Sequence, residues 1–331
     1  MTISADLAAG GPPPPLDREL AGPLQDILDE LPTPLTPDLI ADRRRRTAAG
    51  SLSDEEILGD GAFTLDERRV PGPPGAPAVP VLVCRPTAQP GPHPVIYHVH
   101  GGGMVAGSAR SEELRGDLGR AGELGLAVVA VEYRLAPEHP DPAPIEDCYA
   151  GLLWLSAHGA DLGIDRERIV LSGNSAGGGL CAGLALLARD REGPAVLGQM
   201  LQCPMLDDRC DTPSAHQLVA GGLWDGRSNR AGWDALLGSR RGSADVSPYA
   251  APARAEDLTG LPPTFVDVGA VEALRDEVLA WTAGLWRSGG DAELHVWAGA
   301  FHSFDQWVPG AAVSASAERA RRDWLRRLLV R

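Results

Sequence analysis

A serine between glycines, Gly173-Asn174-Ser175-Ala176-Gly177, follows the short apolar run Ile169-Val170-Leu171 and precedes a small-residue apolar stretch, 178–187. G-x-S-x-G between a strand and a helix describes a sharp turn that exposes a serine hydroxyl. Glycines flank it because Cβ atoms would crowd the turn. A hydroxyl so placed becomes a nucleophile once a base takes its proton. Upstream, Tyr97-His98-Val99-His100 runs into Gly101-Gly102-Gly103, whose free N–H groups can face an oxyanion. In this order, the two segments point to acyl transfer.

The serine needs a histidine base, and the histidine needs a carboxylate that holds its tautomer and stabilises the imidazolium. On an open α/β sheet these follow as serine, acid, histidine. Of the three histidines beyond Ser175, His295 lies inside an alternating strand and His216 in a strand-free insertion. His302 stands in a small-residue loop after the last strand and is the expected base. The acid belongs in the loop after the preceding strand, which carries Glu272, Asp276 and Glu277. Asp276 and Glu277 open a helix, where carboxylates favour the positive end of the dipole. Asp267 lies within the strand. Glu272 is the expected acid.

The elements that must position these groups alternate. Paired strands are expected over 63–70 and 79–85, and a third over 94–99. After these come helix 111–124, strand 126–132, helix 145–158, strand 169–172 and the serine helix. Strands at 198–202, 264–268 and 292–297 follow, with helices at 276–288 and 314–329. Such alternation implies a mostly parallel sheet with helices on both faces. Residues 1 to about 20, with Pro12 to Pro15 in a row, read as a mobile tail. Residues 24–58 read as helical, broken at Pro32, Pro34 and Pro37. The resulting division is tail and cap helices at 1–55, core at 56–203, a cap insertion at 204–247 and core again at 248–331.

Composition excludes other chemistries. All 30 basic residues are arginine, so a Schiff-base lysine, a serine–lysine dyad and a P-loop lysine are ruled out. A net charge of −15 argues against nucleic acid or an anionic membrane as partner. Five cysteines without metal-binding spacing read as reduced, buried thiols of a cytoplasmic protein, and residues 1–20 carry no secretory pattern. No metal or cofactor is expected. His98 and His100 face one side of a strand, but no Cys, Asp or Glu accompanies them, and His100 reads as an anchor for the glycine loop. The run Arg43 to Arg46 reads as a solvated helix face.

Several further segments carry a family resemblance. His100-Gly101-Gly102-Gly103 resembles an H-G-G-G oxyanion motif, Tyr133-Arg134-Leu135-Ala136-Pro137-Glu138 a Y-R-L-A-P-E signature, and residues 173–178 a G-D-S-A-G-G motif. Leu274-Arg275-Asp276-Glu277 resembles L-R-D-E, and Phe301-His302-Ser303-Phe304-Asp305 resembles F-H-G-F-D. The chain thus resembles the bacterial hormone-sensitive-lipase-like carboxylesterases of the α/β-hydrolase fold. That resemblance implies a helical cap over an acyl pocket. It also implies an oxyanion hole from the amides of Gly102, Gly103 and Ala176, with Gly101 as an alternative to one of the first two. Tyr133, Arg134 and Glu138 would brace the glycine loop as a buried ion pair and turn.

The chain departs from the family pattern at Glu272 (usually aspartate), Asn174 (usually Asp or Thr), Met104 (usually aromatic) and Ser303 (usually glycine). Met104, Asn174 and Trp224 are candidate pocket residues, with packing inside the lid the competing reading for Trp224 and for Trp233. The expected activity is cofactor-independent hydrolysis of a small-molecule ester, short to medium in its acyl part, with a homodimer as candidate assembly. A deacetylase or acyltransferase of a small metabolite is the alternative. A retired, ligand-binding hydrolase is disfavoured because Ser175, Glu272 and His302 are all present.

Overall fold

The interior strands are apolar on both faces, and their period of two sorts the side chains into two cores. The computed structural model describes residues 11–31 and 33–330. Its strands are β1 (Phe63–Val70), β2 (Val79–Pro86), β3 (His93–Val99), β4 (Ala127–Val131), β5 (Ile164–Asn174), β6 (Gly198–Gln202), β7 (Thr264–Gly269) and β8 (Ala292–Trp297). They form one sheet in the order β1-β2-β4-β3-β5-β6-β7-β8. β2 is antiparallel to β1 and β4, and the pairings from β4 across to β8 are parallel. The order reverses at β3, which lies between β4 and β5. Ligand crevices form at such a switch point, outside the carboxyl ends of the strands.

The helices are α1 (Arg18–Glu30), α2 (Ile40–Ala49), α3 (Asp54–Leu58), α4 (Glu113–Leu124), α5 (Ala143–His158), α6 (Ala176–Asp190), α7 (Pro213–Gln217), α8 (Gly226–Leu237), α9 (Arg275–Arg287), α10 (Phe304–Trp307) and α11 (Ala312–Leu329). On one face Tyr97, Val129, Leu171, Leu201 and Val266 pack in the same core as α5, α6 and α9. On the other, Ile96, Val128, Val170, Met200 and Phe265 share a core with α4 and α11. This second face also holds charge. Asp117 accepts from His98 Nδ1 at 2.7 Å, Arg120 at 2.8 Å and Ser172 Oγ at 3.0 Å.

The N-terminal segment departs from the expected tail. Its first ten residues lie outside the described ones, but from Asp17 onward the chain is docked. Asp17 caps α1, and its N–H donates to Gly299 O at 3.0 Å. A Cβ on Gly299 would stand 2.4 Å from Asp17 N, so this approach requires glycine. Leu20 and Leu24 bury themselves with Phe301 and Phe304, which sit on either side of His302. Proline runs read as tail when taken alone; the apolar stripe of α1, seen only with its partners, overrides that.

Candidate active site

Ser175 stands between β5 and α6 at φ 55°, ψ −120°. Such a conformation costs about 1–3 kcal/mol and survives only where its surroundings over-determine it. Its N–H donates to Gln202 O at 2.8 Å, and its carbonyl accepts from Gly179 N and Met205 N, each at 3.0 Å. A Cβ on Gly173 would meet the Gly177 backbone at 2.4 Å, and one on Gly177 would meet Val99 O at 2.0 Å. The glycines thus let two backbones close on the turn.

The loops after β7 and β8 bring the other two groups to it. His302 Nε2 lies 2.9 Å from Ser175 Oγ, and His302 Nδ1 lies 3.0 Å from Glu272 Oε2. All three residues are buried. Burial pushes Glu272 above the usual carboxylate range, while His302 pulls it back. Burial also works against the imidazolium, yet the Cys203 sulfur and the Glu272 carboxylate carry His302 well above the ordinary histidine value. For the pair, the His302 direction governs, since a carboxylate on Nδ1 favours a proton held by the ring.

The competing carboxylates are engaged elsewhere. Asp267 accepts from Trp297 Nε1 at 3.0 Å and pairs with Arg321. Asp276, in the first turn of α9, accepts from Ser214 N at 2.8 Å and so ties α9 to α7. Glu277 accepts from Leu206 N at 2.7 Å and Asp207 N at 3.2 Å, anchoring the start of the 204–247 insertion. His295 stacks on Trp297 and faces Glu293, and His216 lies in α7.

The glycine loop is braced on three sides. Tyr133 stacks on His100 at 4.1 Å between centroids and donates to His100 O at 2.9 Å. Burial lowers His100 to about 3, so the ring is neutral. Gly101 N donates to Glu113 Oε2 at 3.1 Å, which takes this amide out of use for a substrate. Among the described residues none accepts from the amides of Gly102, Gly103 or Ala176. Arg44 donates to Val105 O at 2.7 Å and Ala136 O at 2.8 Å, and pairs with Glu138. This corrects two expectations. Arg134 pairs with Asp147, not Glu138, and Glu138 is exposed. The arginine run is not a merely solvated face: Arg44 clamps the loop, while Arg43 and Arg46 line the cavity.

That cavity, of about 420 Å³, reaches Ser175 and His302 and is bounded by Gly101 to Gly103, Asn174, Trp224 and Leu35. Trp224 covers Gly103, where a Cβ would lie 2.2 Å from its ring, and its centroid is 6.3 Å from that of His302. Met104 is placed differently from the sequence expectation. It is fully buried in the core and absent from the cavity wall, because its φ of 65° turns the chain away after the glycines. Trp233 is likewise buried in the core.

Two neighbours escaped the sequence reading. Glu113 lies in the expected helix 111–124 with nothing in its sequence context to mark it. Cys203 looked like one more apolar thiol, and all five cysteines are indeed free and buried. The polar side-chain atoms of Cys203, Glu272 and His302 lie within 4.8 Å of one another. The available signal lies in where Cys203 falls: directly after β6, beside β5, which ends one residue before Ser175.

Sheet order, turn and cavity define a hydrolase of the α/β class, and residues 96–306 match the family model described as alpha/beta hydrolase fold. Carboxylesterase NlhH of Mycobacterium tuberculosis is 35% identical over 279 residues, covering 82% of this chain and 84% of that one. Human hormone-sensitive lipase is 44% identical over 106 residues, 31% of this chain and 10% of that one. The solved structure titled bacterial heroin esterase superposes with a TM-score of 0.86 at 40% identity, covering 95% of this chain and 98% of that one. The chain belongs to the hormone-sensitive-lipase-like family of α/β-hydrolases and is an enzyme of the carboxylesterase class.

Proposed function

We propose that the protein hydrolyses short to medium acyl esters of a small alcohol through an acyl-enzyme on Ser175. The observation that carries this reading is the chain of contacts Glu272–His302–Ser175, at 3.0 and 2.9 Å, at the floor of the cavity. His302 Nε2 takes the hydroxyl proton as Oγ bonds to the ester carbonyl carbon. Glu272 stabilises the imidazolium that results. The carbonyl oxygen, now an anion, is received by the amides of Gly102, Gly103 and Ala176, which have no other acceptor among the described residues. The carbon–oxygen bond to the alcohol then breaks, and the leaving oxygen takes the proton from His302. Water repeats the cycle: His302 removes its proton, the acyl–Oγ bond breaks, and Ser175 regains its hydrogen as the acid departs.

Cavity size fits a small-molecule ester. A volume of about 420 Å³ falls within the span of small-molecule sites, roughly 300–1,000 Å³. Among the described residues no helix is long and apolar enough to cross a membrane. A p-nitrophenyl ester series tests the reading, with kcat/KM expected to peak at short to medium chains and to exceed that on an emulsified long-chain triglyceride. Higher kcat/KM on the emulsion would refute it.

A further inference from the structure

Three of the described non-glycine residues with left-handed backbone stand together at this site: Ser175 at φ 55°, Cys203 at φ 37° and Ser303 at φ 57°. Glycine adopts that region at no steric cost, so a side chain kept there invites a reason beyond the backbone. Ser175 has one as nucleophile. For the other two, the hydrogen bonds supply it. Ser303 Oγ donates to Asn174 Oδ1 at 3.0 Å. Asn174 Nδ2 donates to Cys203 Sγ at 3.4 Å, and Cys203 Sγ lies 3.7 Å from Ser303 Oγ. All three residues are buried.

This triangle joins the residue before the nucleophile, the residue after the base and the residue that follows β6. Its sulfur is the member that reaches the catalytic pair, within 4.8 Å of the nearest polar atoms of His302 and Glu272. Two hydrogen bonds hold the imidazole at its two nitrogens, and its Cβ tether makes the ring follow any shift of the loop that carries Ser303. The sulfur, within 4.8 Å and fixed on a different element, limits that shift. We propose that Cys203 is a positioning residue for His302: Asn174 and Ser303 hold its sulfur beside the imidazole, and the sulfur keeps the ring aligned with Ser175.

The inference rests on the assignment of Ser175 and His302 above, and deepens it. It also has a consequence for pH. Activity requires neutral His302, so it rises as pH rises through the histidine's pKa. The groups facing the ring are Cys203 and Glu272, with Glu113 on α4 close enough to interact. Asp267 and Asp305 act on Glu272 from behind, both paired to Arg321. Removing the sulfur takes away one influence that favours the imidazolium, so the acid limb of the profile should move to lower pH.

The experiment compares Cys203→Ala, Cys203→Ser and Ser303→Gly with the parent enzyme by kcat, KM and the pH profile of kcat/KM. Thermal melts and stoichiometric phosphonate labelling accompany the kinetics. Cys203→Ala should lose about tenfold in kcat with KM within about twofold, and its acid limb should fall in pH. Cys203→Ser, which keeps a polar atom there, should restore most of the loss. Ser303→Gly relieves the left-handed strain but leaves Asn174 Oδ1 without its donor, so its melting temperature should stay near the parent's while kcat falls several-fold. If Cys203→Ala and Ser303→Gly both keep the parental kcat and the parental acid limb, the sulfur only fills space and the inference is overturned. Phosphonate that fails to label Ser175 in the parent enzyme condemns the triad assignment itself. Labelling with unchanged kinetics condemns only the role of Cys203.

Discussion

The turn at Ser175, the proposed nucleophile, and the segments proposed as its cap (α2 and the 204–247 insertion) are built on different principles. At the turn, backbone presses on backbone: Gly177 against Val99 O, and Ser175 N on Gln202 O. The approach leaves no room for a Cβ at Gly177, and the hydrogen bond ties the turn to the end of β6. In the cap, side chains do the holding. Trp224 lies on Gly103, Arg44 grips two carbonyls of the loop below, and Asp276 ties α7 to α9. Backbone contacts fix a geometry without fixing a substrate, whereas side-chain packing fixes a volume. Changes at the turn should therefore act on kcat almost as a switch, and changes in the cap on KM by degrees.

The largest effect expected is at the turn. Ser175→Ala removes the proposed nucleophile and should lower kcat by about 10⁴ or more, with the melting temperature little changed. Phosphonate labelling, mapped by mass spectrometry, should vanish with it. Label on a cysteine or on another serine of the parent enzyme would break the comparison at its root.

Next comes the carboxylate. In a serine protease, the acid-to-amide change behind the histidine lowers kcat by about 10⁴. Here Glu272→Gln should lose at least about 10², because the amide spoils the tautomer and cannot stabilise the imidazolium. Glu272→Asp should fall between, since it keeps the charge and gives up reach. Asp276→Asn touches a contact between cap and core, so its cost should appear in a thermal melt and hardly in kcat. A dead Asp276→Asn beside an active Glu272→Gln would reverse the two roles.

The smallest effect belongs to the cap. Trp224→Ala opens the cavity over Gly103 and should raise KM several-fold for short acyl esters, with kcat falling less. A kcat collapse with KM unchanged would show that the cap, too, acts through catalytic geometry.

Local pattern was enough for the parts whose causes are local. The G-x-S-x-G turn needs its glycines within two residues of the serine, and the glycine loop follows its own strand, so both are legible in the chain as written. Strand and helix alternation likewise follows from apolar period, and the starts of α9 and β8 lie within a residue of the sequence expectation. Other features depend on what the fold brings next to them. His302 meets Ser175 across a separation of 127 residues. The docking of α1 depends on Phe301 and Phe304, the use of Gly101 N on a carboxylate of α4, and the place of Arg44 on two carbonyls far along the chain. Cys203 is the plainest case. As one of five apolar thiols it has no distinguishing neighbours in sequence, and it gains them only because parallel strands set the ends of β5, β6 and β8 along one edge. A residue's chemistry is written in its type, but its partners are set by long-range strand pairing, which a short-range pattern does not record.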